Sequence, residues 1–205
     1  MITRLKLSTI EQGLPKYRSM LAGNDAFSPY AFESIATVTL GSDTATITFS
    51  SIPNTYQHLQ IRALAKNAFT TNRGVSLSRF RFNSDSASNY SYHRLIGDGS
   101  TAAASGASSQ AYLYCFDTNG FGGSDNSTFS VGVLDIHDYA STSKNKTLRS
   151  LSGVNQNSTT ASEQSIGLES GAWYSTSAIN RIDITSGGGN WKTGSTFALY
   201  GIKGA

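Results

Sequence analysis

The stretch IATVTL at 35–40, followed by GSD at 41–43 and ATITF at 45–49, decides the class of fold. Ala36, Val38 and Leu40 alternate with threonines, as do Ala45, Ile47 and Phe49, and a turn signal separates the two runs. Period two places each apolar set on one face of a strand. The pattern predicts a hairpin. Outward from it, strand-like runs recur at 58–65, 76–82, 92–96, 110–116, 129–137, 147–151, 163–168, 179–184 and 196–202, divided by Gly, Asn and Ser clusters. Short strands at this spacing predict an all-β fold, a single jelly-roll-like antiparallel β-sandwich over 34–205. The small-residue segments 97–109 and 155–161 are expected to be loops, and Asp117-Thr118-Asn119-Gly120 a turn.

Composition agrees. Of 205 residues only 14% are charged, against about 25% in an average soluble protein. Ser and Thr supply about a quarter of the chain, above ordinary usage. With 38% hydrophobic and 11% aromatic residues the chain can bury a core, so its polar richness does not imply disorder. Uncharged polar, β-branched and aromatic residues suit strands and tight turns, which excludes an all-helical protein. The single cysteine, Cys115, sits in a strand-like run and is expected to be a small buried hydrophobe. No apolar run reaches membrane-span length and the N-terminus lacks a signal-peptide core, so synthesis in a cytosol without membrane insertion is expected.

The net charge of +3 is localised. Arg4, Lys6, Lys16 and Arg18 face one acid, Glu11, before residue 25, and the remaining bases and acids are equal in number. A nucleic-acid binder spreads Lys and Arg over a face of its fold, so no nucleic-acid partner is expected. The first 33 residues also differ in pattern. Ser8-Thr9-Ile10-Glu11 has capping-box spacing, Gly13 and Pro15 limit that helix to about a turn, and a second short helix fits from Pro15 to Leu21. Such turns cannot bury Leu5, Leu7, Ile10, Leu14, Tyr17, Met20 and Leu21 by themselves. Residues 1–33 are therefore read as a docking arm, its apolar residues seated on another protein and Arg4, Lys6, Lys16 and Arg18 meeting an acidic surface.

Chemistry finds little support. Asp135 and His137 share a strand face, where a carboxylate can orient an imidazole. No nucleophile accompanies them, and the plainer reading is a strand end with Asp135 paired to an arginine. His58, His93 and His137 are far apart in sequence and no metal-ligand spacing occurs. The glycine clusters at 120–123 and 187–189 do not lead into helices, as a phosphate cradle requires. No catalytic residue, metal or cofactor is expected. Aromatic side chains beside hydroxyls and amides suit sugar recognition, but Tyr and Trp are equally at home in cores and interfaces. Trp173 and Tyr174, next to Ser175-Thr176-Ser177, and Trp191, in a glycine-rich turn, are the candidates for a surface or receptor contact.

Several segments carry a resemblance: LSTIEQGLPKYRSMLAGN at 7–24, FESIATV at 32–38, YQHLQIR at 56–62, RFNSD at 81–85, YSYHRLIGDG at 90–99, DIHDY at 135–139, KTLRSLSG at 146–153 and STFALYGIK at 195–203. Across most of its length the chain resembles small tail-fibre-like structural proteins of tailed bacteriophages infecting cyanobacteria and other aquatic bacteria. None of these motifs is catalytic, and the family pattern usually has an apolar residue where this chain has His137. The resemblance implies a virion component made in the host bacterial cytoplasm, a homotrimer whose arm contacts other virion proteins and whose sandwich presents loops to a host surface glycan or receptor. A tail fibre or baseplate-associated module is the first expectation, and a capsid decoration or cement protein is the alternative. A polysaccharide depolymerase, which needs paired acids at fixed separation, ranks far behind.

Overall fold

A computed structural model describes residues 32–68, 74–120, 128–156 and 163–203. The expected arm of 1–33 lies outside them except for its last two residues, which already belong to the first strand. The described residues form β1 (Phe32–Thr39), β2 (Thr46–Phe49), β3 (His58–Ala65), β4 (Gly74–Phe82), β5 (Tyr90–Gly97), β6 (Ala102–Gln110), β7 (Leu113–Gly120), β8 (Ser130–His137), β9 (Lys146–Asn155), β10 (Gln164–Trp173), β11 (Ile182–Ser186) and β12 (Thr196–Ile202). Two antiparallel sheets result. The larger has the order β1-β12-β3-β8-β9-β10-β5-β6 and the smaller β2-β11-β4-β7.

The expected hairpin at 35–49 does not form. β1 pairs with β12, from Phe32 opposite Ile202 to Thr39 opposite Thr196, while β2 pairs with β11 in the other sheet. The residues after Leu40 carry the chain between sheets, tied by Leu40 N–H to Ser195 O at 2.9 Å and Thr44 N–H to Trp191 O at 2.9 Å. Alternation states that a strand has one apolar face; it does not name the neighbour. A second departure is β6, expected as a loop. Its AAASGASSQ run has no apolar period and is largely exposed, yet its backbone pairs with β5 from Gly97 opposite Ala102 to Tyr90 opposite Gln110. Main-chain hydrogen bonds alone make it a strand. The third is 117–120, which is not a turn but the second half of β7.

β7 also contains a bulge that alternation does not reveal. Leu77 faces Asp117 and Arg79 faces Tyr114, so Cys115 and Phe116 together oppose Ser78. The Ser78 hydroxyl accepts from Phe116 N–H at 3.0 Å and lies 3.3 Å from its carbonyl. An extra residue reverses which side chains face inward. Phe116 consequently leaves the face of Tyr112 and Tyr114 and packs edge-on against Phe80, with ring centroids 5.2 Å apart. Cys115 is buried and free.

The core lies between the sheets. Leu59, Ile61, Leu134, Ile136, Phe197 and Leu199 come from the large sheet; Ile47, Phe49, Phe80, Phe82, Ile182 and Ile184 come from the small one. Each buried side chain of this size contributes about 1.5–3 kcal/mol of transfer free energy. β7 lies against β8, β9 and β10.

Candidate interaction surface

The feature that stands apart is the outer face of the large sheet. Residues directly opposite each other across paired strands point to the same face. Val133 on β8 is opposite Leu151 on β9, Leu151 is opposite Leu168 on β10, and Leu168 is opposite Leu95 on β5. The adjacent row runs from Leu64 on β3 to Val131, Gly153 and Ile166. All seven large side chains of these rows are exposed, between 36% and 61%. An aliphatic patch therefore spans five strands, with Arg62 at its border.

The inner side of the same strands is the reverse. Ser150, Ser152 and Glu169 are buried there, with Asp117 of β7 facing them. Arg94 Nη2 donates to Asp117 Oδ1, and Arg94 Nε lies 3.4 Å from Glu169 Oε1. The Ser150 hydroxyl donates to Glu169 Oε2 at 2.6 Å and the Ser165 hydroxyl to Asp117 Oδ2 at 2.6 Å, while Asp117 N–H donates to Ser152 Oγ at 3.0 Å. Gly167 makes room for this network: a Cβ there would stand 2.8 Å from Glu169 Oε1 and 2.9 Å from Asp117 Oδ2. Burial is the largest influence on Glu169 and the Asp117 charge adds to it, outweighing the Ser150 and Arg94 hydrogen bonds; its carboxyl is pushed up to about 7. One guanidinium between two carboxylates balances only one of them, which leaves Glu169 holding its proton to higher pH than an ordinary carboxyl. At this end the sheet is polar inside and aliphatic outside.

The residues singled out from sequence fall as follows. Trp173 and Trp191 are buried at 2% and 0% exposure, which corrects their reading as surface or receptor contacts. Trp173 Nε1 donates to Asp85 Oδ2 at 2.7 Å, and its ring packs against Phe82 and Tyr90. Trp191 Nε1 donates to Ile184 O at 3.2 Å, and its ring meets Phe197 edge-on. Each indole found a partner inside, so neither had to stay wet. Tyr174 is exposed, with its hydroxyl 3.1 Å from Ser91 Oγ. The arm residues Arg4, Leu5, Lys6, Leu7, Ile10, Leu14, Lys16, Tyr17, Arg18, Met20 and Leu21 lie outside the described residues. Asp135 accepts from Gln60 Nε2 at 2.8 Å and Arg149 Nη2 at 3.0 Å, the ion pair the plainer reading foresaw. His137 meets the His58 ring edge-on at 4.8 Å, and His58 Nδ1 accepts from Asp138 N–H at 3.0 Å. Among the described residues, no three His, Cys, Asp or Glu gather into a metal-binding group.

Sequence reasoning missed the outer face. The strand spacing carried a signal, since Ile166-Gly167-Leu168 and Leu151-Ser152-Gly153 each offer one apolar and one polar face. Period two leaves open which of them turns inward. Compared with protein-family models, curated proteins and solved structures, the chain matches none.

Proposed function

We propose that this chain is a structural component of a tailed-bacteriophage particle, a tail-fibre or baseplate-associated module rather than an enzyme. Its arm, residues 1–33, anchors it to other virion proteins, three copies assemble, and the sandwich faces a host glycan or receptor. The observation that carries the reading on the structural side is strand order. With the hairpins β5-β6 and β9-β10 set aside, the sheets run β1-β12-β3-β8 and β2-β11-β4-β7. In an eight-strand count these are 1-8-3-6 and 2-7-4-5, an order that supports the jelly-roll reading, an architecture used by viral coat and glycan-binding domains. The two hairpins extend one sheet. The resemblance in sequence supplies the link to phages.

Electron microscopy of particles labelled with an antibody against 34–205 tests this reading. Label at the tail tip or baseplate is the expected result. Label over the head makes the chain a decoration protein, and unlabelled particles overturn the proposal. Deleting residues 1–24 is expected to leave a folded sandwich that no longer joins the particle; a truncated chain that still assembles removes the arm as anchor.

A further inference from the structure

We infer that a second copy of this chain covers the outer face of β3, β8, β9, β10 and β5. The inference deepens the proposal that copies of this chain assemble and rests on that part of it alone. With its side chains between 36% and 61% exposed, the patch presents on the order of 600 Å² of apolar surface. That reaches the largest patch of a typical monomer and approaches the roughly 800 Å² that each partner buries in a standard interface. A small ligand covers only a fraction of it. A matching surface of protein size is needed.

Three features favour a copy of the same chain over a foreign partner. The patch is aliphatic, built of Leu, Ile and Val, and such high apolar character belongs to permanent homo-oligomer contacts that look like a domain core cut in half. Its central row, Val133–Leu151–Leu168–Leu95, carries no charge until it reaches Arg62 on β3, opposite Val133. The adjoining row places Arg149 beside Asp135 at 3.0 Å, so two copies approach without like-charge repulsion from that pair. The inner side of the same strands strengthens the point. Ser150, Ser152, Glu169 and Asp117 occupy its middle, so between Leu148 and Val154 on β9, and before Trp173 on β10, these strands gain little apolar burial there. Their outward aliphatic side chains leave water only when a further surface covers the outer face. Two sheet faces pack about 10 Å apart with interdigitating side chains, a spacing that Leu, Ile and Val fill.

The test is the mass of the full-length chain in solution, by light scattering and sedimentation at micromolar concentration. The unaltered chain is expected to run as a multimer, and the variant carrying Leu151→Asp and Leu168→Asp as a monomer. A milder pair, Val133→Thr and Leu151→Thr, places strand-favouring β-branched side chains at both positions and is expected to weaken association at least about tenfold while the chain stays folded. A monomeric unaltered chain overturns the inference, as does a multimer whose mass and affinity ignore the milder pair. A monomer that uses this face only within a particle assigns it to a different protein and overturns it equally.

Discussion

Replacing Glu169 by Gln is expected to change how the stability of this protein depends on pH. Glu169 is 1% exposed, shares Arg94 with Asp117, and holds a proton up to about pH 7 instead of the ordinary 4.5. Between those values the folded chain keeps a proton that the unfolded chain has released. Stability from this group is therefore greatest below 4.5 and falls as pH rises, by about 1.4 kcal/mol per pH unit and about 3 kcal/mol in all. Glutamine stays neutral and accepts from the Ser150 hydroxyl as the protonated acid does, while its amide nitrogen takes the place of the oxygen 3.4 Å from Arg94 Nε. Near pH 4.5 the two proteins are expected to be about equally stable, and at pH 8 the variant is expected to be more stable by about 3 kcal/mol. Urea unfolding from pH 4.5 to 8.5, at one protein concentration, measures both curves, and titrations common to both cancel in the difference. A difference that stays flat with pH refutes the reasoning. A variant less stable at pH 8 refutes it more strongly, because it makes Glu169 an ionised partner of Arg94.

Lys146 is fully buried, and its ammonium donates to the carbonyls of Ser141 at 2.7 Å, Lys144 at 2.8 Å and Thr176 at 3.3 Å. Lys146→Met orphans these acceptors and is expected to cost about 3 kcal/mol, read as a lower urea midpoint; an unchanged midpoint contradicts the cage. A Cβ on Gly201 would lie 2.3–2.4 Å from the Tyr56 ring, so Gly201→Ala is expected to destabilise by about 2 kcal/mol, and a neutral result means that the ring moves freely. Trp173 and Trp191 are both buried, so iodide is expected to quench little of the tryptophan emission. Loss of half the signal at modest iodide puts one indole at the surface.

Alternation alone made most strands legible in this sequence, because a half-buried strand needs an apolar side chain at every second position. β3 and β12 lie at the expected residues, and the buried cysteine and the Asp135–Arg149 pair follow from local pattern and composition. β6 was hidden because Ala, Ser and Gly carry no period, and only the free edge of β5 makes that segment a strand. The bulge at Cys115 and Phe116 was hidden because one extra residue is invisible until Ser78 stands opposite it. The tertiary structure alone decided that β1 and β2 part into different sheets, that both tryptophans go inside, and that β9 and β10 turn Ser150, Ser152 and Glu169 inward and Leu151, Ile166 and Leu168 outward. A strand has two faces and its sequence describes both. Which of them meets the core depends on what the opposite sheet offers, and here β7 brings Asp117 to Arg94 and Glu169, leaving the aliphatic face of the large sheet to be covered from outside.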